Sequence, residues 1–445
     1  MVEARSTVSR RVAVIPVARQ RAAVTFAAIC ALLVAACAQA PRIPAGYPFT
    51  VEQGPVIRLL DVRTSHEQVA AVIDDAGFAH VLIASPKTKA LRHVVVDPGG
   101  QVVLTEVIRP EVDAASLDAE IDATGQLHVL AGPRHFVREP SGQWSEAATP
   151  WAVIDRDPAA PRFVHGADRD RPLLYAFDVG GKAVGAPARW DVFGVGGGFG
   201  AGIIWPWRTH GSRLAVVAED GGHYAEWSVV GLDDNEDVAD WAAVATPDGR
   251  VHVVYDAQRS VLATLSMARY ACIDPATGVD EAVREIAGLR VRSVSGAEMP
   301  VAPERPFVGP DAALGYDAAT SELLLVRQHA GGSVYRDGTW GPEFRMPLNL
   351  AWSPRIAAPA AGHFDIVAMG TRADSSLDNQ QPVFYLQFRD GRWSAPVEVG
   401  GAGVATLLGS GWDAVQVASD GNGHVLVTWP VEDGIEARWL RVPQD

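Results

Sequence analysis

Three cysteines in 445 residues exclude a disulfide-built fold. Cys30 and Cys37 lie in or beside an apolar N-terminal run. Cys272 is therefore alone in the body and has no internal partner, even in an oxidising compartment. No histidine motif accompanies it, so it reads as an inert strand residue and not as a nucleophile. Beyond the N-terminal run, no apolar stretch approaches the ~20 residues a membrane-spanning helix needs. Helical patterning is scarce too, because Gly, Pro and Asp interrupt nearly every apolar run; Glu281–Leu289 is the one short helix predicted. High-specificity catalytic motifs are missing: there is no Gly-x-Ser-x-Gly, His-Glu-x-x-His or Cys-x-x-Cys. Gly194-Val195-Gly196-Gly197-Gly198-Phe199-Gly200 lacks the following Lys-Ser/Thr of a phosphate loop. Asp233-Asp234-Asn235-Glu236-Asp237 lacks the alternating acids and glycine of a calcium loop and reads as a solvated turn.

Basic charge is also in short supply. The chain carries 38 Lys and Arg against 53 Asp and Glu. Five of those arginines (Arg5, Arg10, Arg11, Arg19 and Arg21) precede residue 37, where the only acid is Glu3. The remainder of the chain is thus more acidic still. Such a field repels phosphate backbones and anionic headgroups, so no nucleic-acid partner is expected. No cofactor and no metal is called for by any motif.

What is present begins with charge order. The N-terminal arginines are followed by Ala22–Ala36, uncharged and apolar but for Thr25 and Cys30, which is the arrangement of an export signal. Leu33-Val34-Ala35-Ala36-Cys37 resembles the lipobox of bacterial lipoproteins. That resemblance implies diacylglycerylation of Cys37, cleavage before it, and a durable acyl anchor at about 0.8 kcal/mol per buried CH₂. An ordinary signal peptide or an uncleaved anchor are the alternatives. Ala38 and Gln39 follow, with no Asp of the kind that retains lipoproteins in the inner membrane. The resemblance therefore implies an outer-membrane address, with membrane contact through the N-terminal lipid only. The organisation expected is a signal peptide over 1–36, a lipidated N-terminus and linker over 37–55, and one monomeric domain over 56–445.

The body repeats itself. Asp74-Asp75-Ala76-Gly77-Phe78-Ala79-His80-Val81 returns as Asp122-Ala123-Thr124-Gly125-Gln126-Leu127-His128-Val129. It returns again as Pro247-Asp248-Gly249-Arg250-Val251-His252-Val253 and as Asp420-Gly421-Asn422-Gly423-His424-Val425. Each copy follows a short apolar run (Val69–Ile73, Leu117–Ile121, Ala242–Ala245, Val415–Ala418), so each predicts a β-hairpin whose turn uses Gly and Asp. Gly142-Gln143-Trp144, Asp337-Gly338-Thr339-Trp340 and Asp390-Gly391-Arg392-Trp393 add a second turn and a tryptophan strand. Two hairpins in series make a four-stranded meander, and the 48-residue step from His80 to His128 suits one propeller blade. Weaker hairpins near Leu173–Phe177, Leu214–Ala218, Leu323–Arg327 and Phe364–Met369 bring the total to eight units, with seven as the alternative. The fold predicted is an all-β propeller of eight, or seven, four-stranded blades. The last unit is one strand short, so Val56–Asp61 is expected to complete it and clasp the two ends of the ring. The Asp-x-x-Gly-x-x-His-Val turn with its later Gly-x-Trp-Ser strand is similar to the sialidase-like propellers with neuraminidase-type repeats. Thr246-Pro247-Asp248-Gly249 and Ser419-Asp420-Gly421 each lack a spacer of that family's Asp-box, so the resemblance implies the propeller and not sialidase catalysis.

Candidate site residues divide into two groups. His80, His128, His252 and His424 share a place in the repeat. They read as strand-initiating residues that hydrogen-bond a neighbouring turn or blade, with a metal or acid–base cluster as the alternative. Trp144, Trp340 and Trp393 read as blade packing, each N–H taking one partner. Trp205, Trp207, Arg208 and His210 break the repeat after the glycine-rich segment and are the ligand-binding candidates; no catalytic residue is assigned. The function expected is non-catalytic binding of a glycan or protein partner at the envelope. A carbohydrate-active hydrolase or lyase and an envelope-assembly scaffold are the alternatives.

Overall fold

The computed structural model describes residues 46–443 apart from 62–66, 86–87, 113–115, 150–158, 167–173, 180–187, 192–204, 208–212, 221–222, 231–235, 260–265, 274–283, 287–288, 296, 299–311, 328–330, 349, 360, 372–379 and 404–414. Cys37, Arg208 and His210 lie outside the described residues.

The repeats fold as antiparallel meanders. Blade 1 comprises Gln68–Ile73, Ala79–Ser85, Ala90–Val96 and Val102–Pro110, and blade 2 comprises Leu117–Ile121, Leu127–Ala131, Arg134–Arg138 and Trp144–Ala147. Blade 3 is Glu236–Ala245, Val251–Arg259, Ser266–Ile273 and Ala297–Glu298; blade 4 runs from Ala312–Asp317 to Thr339–Trp340. Blade 5 runs from Leu350–Ala357 to Arg392–Trp393, and blade 6 comprises Gln416–Ser419, His424–Val431 and Gly434–Arg441 with Glu52–Asp61 as its outer strand. The first hairpins turn where Gly77, Gly125 and Gly249 take φ of 83°, 79° and 91°, a region open to glycine at no steric cost. In blade 1, Asp74 Oδ1 accepts from the N–H groups of Ala76 and Phe78, which fixes the turn.

The propeller has six blades, not eight or seven. The hairpin textures at Leu173–Phe177 and Leu214–Ala218 are not blades of their own. Leu174–Val179 and Arg213–Asp220 pair with each other, Leu174 opposite Ala218, inside one six-stranded sheet outside the six blades, which also takes Arg284–Ile286 and Leu289–Ser295 from the connection between the third and fourth strands of blade 3. Alternating apolar strands look alike whether they pair within a blade or outside one, so local sequence overcounts. Glu281–Leu289 is likewise no helix over its described part: Arg284–Ile286 is a strand paired with Leu289–Ser295.

The closing strand forms as expected. Glu52–Asp61 pairs antiparallel with Gly434–Arg441, Ile57 opposite Ala437. The clasp also begins earlier than Val56, so residues 46–55 are not a linker. Tyr47 N–H donates to the Trp393 carbonyl (2.9 Å) and the Tyr47 carbonyl accepts from Ala395 N–H (2.8 Å). The N-terminal arm therefore laces blade 5 before its strand completes blade 6.

The core lies between blades. At the junction of blades 6 and 1, Ile57, Leu59, Leu426 and Trp439 pack on Val69, Val81 and Val94. Leu82 and Leu91 of blade 1 meet Val129 and Phe136 of blade 2. Each such side chain removed from water contributes roughly 1.5–3 kcal/mol. The repeat tryptophans serve these junctions. Trp393 stands edge-on to Phe388 (4.9 Å) and Trp340 packs on Tyr335 (5.3 Å), while Trp144 donates its N–H to Glu106 of blade 1 (2.9 Å). The one-partner expectation holds for Trp144 only, since the N–H groups of Trp340 and Trp393 are buried without an acceptor.

Candidate functional site

The repeat histidines are junction residues. His80 lies with Nε2 3.2 Å from Asp74 and Nδ1 2.9 Å from Nε2 of His93. His93 reaches Glu106 at 2.9 Å, so a polar chain runs across blade 1 and is capped by Trp144. Blade 2 repeats the start of it: His128 contacts Asp122 (3.2 Å) and His135 (3.0 Å), with Phe163 edge-on to both rings. In blade 3, His252 Nδ1 meets the Tyr270 hydroxyl at 2.7 Å. Burial disfavours the cation at all three places. It lowers His80 and takes His93, His135 and His252 down to about 4, the partial support of Glu106 at His93 notwithstanding. The fourth copy departs from the set. Ile73 pairs with Ala79 and Ser419 with Val425, so His424 falls two residues earlier in its strand than His80 does. It bonds its own turn, Nδ1 to Asp420 at 2.8 Å. Among the described residues no group of three or more His, Cys, Asp or Glu is placed to hold a metal ion.

A second buried cluster joins blades 5 and 6. Asp365 accepts from the Tyr385 hydroxyl (2.5 Å) and Gln387 Nε2 (3.1 Å), with His363 at 3.4 Å. Asp365 has no exposed surface, so no ligand can reach it. It is a structural carboxylate.

Among the described residues the ring's symmetry breaks at one place. Between blades 2 and 3 the segment 161–166 enters as a wedge. Its end, His165–Gly166, pairs parallel with Val244–Ala245 on the inner side of blade 3, so that blade carries an extra innermost strand. The other side of the wedge is fixed to blade 2. Phe163 N–H donates to Asp118 Oδ2 (2.9 Å), and the Ser116 hydroxyl donates to the Pro161 carbonyl (3.4 Å). Asp118 Oδ1 also accepts from Ala119 N–H, so the carboxylate is held before any ligand arrives.

The wedge delivers charge to the central channel. The channel encloses about 380 Å³ and is walled by the inner strands of all six blades, largely by Ala, Val and Gly. The charged groups on its described wall are Asp118, Glu120, Arg162, His165 and Arg355. His165 Nε2 lies 3.1 Å from Asp118, and Nδ1 lies 3.9 Å from Glu120. Its side chain is 51% exposed, within a lumen walled by the inner strands of the blades. That enclosure opposes the cation, but the charge and hydrogen bond of Asp118, with Glu120 adding, outweigh it and push the pKa up to about 9. At neutral pH His165 is an imidazolium. Arg162 lies over the ring of Trp241 at 5.4 Å, a cation–π contact with a nearly buried indole.

Of the four ligand-binding candidates, Trp205 and Trp207 fall in a short strand, Trp205–Trp207, paired with Ala188–Asp191. The wedge carries no motif that could have flagged it. Pro161-Arg162-Phe163-Val164-His165 is ordinary in sequence, and its significance rests on a two-residue pairing with a strand some 80 positions away.

No protein-family model matches the chain, and no curated protein matches it. Solved structures do. The crystal structure of polysaccharide lyase Uly1 superposes with a TM-score of 0.50 at 11% identity, covering 88% of this chain and 100% of that one. A virginiamycin B lyase from Staphylococcus aureus gives 0.46 at 12% identity (89% and 100% covered), and BBS1N in complex with ARL6DN gives 0.47 at 8% (89% and 98%). At these identities the likeness shows the fold, a β-propeller.

Proposed function

We propose that this protein is a ligand-binding propeller of the bacterial cell envelope, tethered through a lipidated Cys37, that holds a sugar-sized polar group of a glycan in its central channel at the wedge. The observation that carries the reading is the wedge itself. Five of the six inner junctions follow the repeat, and the one that departs puts His165, Asp118, Glu120 and Arg162 on the channel wall. A ring needs no charged residues at its centre, and holding such groups there costs desolvation. A small channel with a few fixed polar groups is the usual form of a small-molecule site.

A carbohydrate-active enzyme is the second reading, favoured by one observation: an imidazolium half open to the channel is placed to donate a proton. The test is glycan-array binding combined with turnover assays on the purified protein and on His165→Gln. Binding without turnover, weakened in His165→Gln, supports the first reading. Turnover abolished in that variant supports the second, and array binding indifferent to it removes the channel from both.

A further inference from the structure

Blade 1 ends on a different kind of edge from its neighbours. Blades 2, 3 and 4 finish in outer strands of two to four residues: Trp144–Ala147, Ala297–Glu298, and Thr339–Trp340 with Phe344–Arg345. Such brief edges offer little backbone for another chain to pair with. In blade 5 the outer Val397–Gly403 is covered in part, because Gln53 Nε2 donates to the Glu398 carbonyl (3.0 Å). The outer Glu52–Asp61 of blade 6 carries Pro55 and the charges of Glu52, Arg58 and Asp61. Blade 1 ends instead in Val102–Pro110, nine residues that form the last strand of its sheet. Proline stands only at its far end, and Glu106 and Arg109 are its only charges.

The solvent side of this edge is apolar. Val102, Val103 and Val107 are 41%, 53% and 49% exposed, three of the four large apolar side chains that the described residues leave open to solvent. Thr105 is exposed between them. Val102 stands opposite Val96, Thr105 opposite Val94 and Val107 opposite Arg92, and directly opposed residues share a face. Leu104 and Glu106 point the other way, where Glu106 takes the bonds of His93 and Trp144. The register shifts at Val103 and at Ile108, so residues 104–107 are the regular stretch of the edge.

This pattern is complementary to itself. Two copies of one edge bond antiparallel only where outward-facing backbone groups meet, so a two-fold axis must fall on a residue and not between two. An axis at Glu106 would set that carboxylate against its own copy, which is destabilising. An axis at Thr105 sets Glu106 opposite Leu104, and sets Val107 of each copy against the Val102–Val103 pair of the other. We infer that Val102–Pro110 is a docking edge for a second copy of this chain, paired antiparallel about a two-fold axis at Thr105. The pairing gives partners to the outward N–H and C=O groups of both edges and shelters the three valines of each copy. It also lets two chains, each of formal net charge −15, meet without opposing like charges.

The test is sedimentation velocity of the purified full chain from about 5 to about 200 μM, the range suited to a small strand-edge interface. Wild type should pass from monomer to dimer across that range. Val107→Lys should raise the dissociation constant at least tenfold, whereas Val56→Lys, which charges the exposed valine outside the strand, should leave it unchanged. Thermal melts check that each variant folds. Mild oxidation then locates the axis. Thr105→Cys should form a disulfide to the same residue of the second copy, identified by mass spectrometry, since opposed Cβ atoms lie about 5 Å apart. Val107→Cys should not link to itself, because its two copies stand four residues apart along the strands, about 13 Å. A wild type that stays monomeric at the highest concentration overturns the inference. A dimer that survives Val107→Lys, one in which Thr105→Cys fails to link, or one in which Val107→Cys links to itself overturns it as well.

Discussion

His93 and His165 are both histidines within hydrogen-bond reach of one carboxylate, and their protonation is pushed in opposite directions. His93, at the junction of blades 1 and 2, has no exposed surface, touches Glu106 and His80, and is held near 4. His165, on the wedge, is half open to the channel, has Asp118 and Glu120 on its two nitrogens, and is pushed to about 9. Burial opposes the cation at both places. The charge and hydrogen bond of Asp118, with Glu120 adding to them, decide the sign at the wedge, where no neighbouring imidazole opposes them. The junctions of blades 1 to 3 keep His80, His93, His135 and His252 from taking up a proton, whereas the wedge keeps a charge where solvent can reach it. Charge retained at a cost in an otherwise regular frame is the mark of a site.

The sharpest way to break the comparison is to remove the frame. Deleting residues 46–61 takes away the arm on blade 5, the outer strand of blade 6, and the buried side chains of Ile57, Leu59 and Leu60. Two sheet edges would then face solvent. The protein should lose its cooperative thermal transition or aggregate, and an unchanged melting curve would show that the clasp is dispensable. Gly434→Ala is the milder form, because a Cβ there would meet the Leu60 carbonyl oxygen and lift the clasp from its partner strand.

A smaller effect separates the ring histidines from the wedge on the acid side. His93, His135 and His252 sit near 4 in the folded protein, against about 6.5 in an unfolded chain. Between those values the unfolded state binds protons that the folded state refuses. Stability therefore falls as pH drops from about 6.5 to about 4, by roughly 3 kcal/mol for each histidine at most. Urea melts at pH 7 and 4.5 should show this loss. In His93→Gln the loss should be smaller by one histidine's share, and an identical loss in the variant would mean that His93 is not held neutral by burial.

Much of the ring is legible in the sequence and little of the site is. Leu117–Ile121 reads residue for residue as the strand it forms, and Val56–Asp61 as the closing one, because alternation and an unfilled fourth position are local signals. Blade number is not legible. Leu174–Val179 has the same texture as a blade strand, and only its pairing with Arg213–Asp220 shows that it belongs to the sheet outside the blades. His424 looks equivalent to His80 but sits two residues out of register, because its turn takes four positions from Asp to His where blade 1 takes six. The wedge leaves no trace, since its position depends on contacts with Asp118 and Val244 that are distant in sequence.

The smallest effect is the most specific to the wedge. His165 is raised above its unfolded value, so its contribution to stability is full below about pH 6.5 and is lost as pH climbs through about 9. Because the imidazole is half exposed, solvent screens the pair, and the alkaline loss should be about 1 kcal/mol or less. Asp118→Asn removes the charge that Oδ1 presents at 3.1 Å but keeps a carbonyl oxygen for Phe163 N–H. The His165 pKa, followed by NMR titration of its imidazole resonances, should fall from about 9 toward 6.5, and the stability lost between pH 6.5 and 9.5 should shrink with it. Glu120→Gln should move the pKa the same way by less, since Glu120 is 3.9 Å away and contributes through charge alone. A larger shift in Glu120→Gln than in Asp118→Asn would reverse the roles of the two carboxylates. No shift in either would mean that the wedge histidine is governed by burial, like those of the ring, and the distinction between the two regions would be lost.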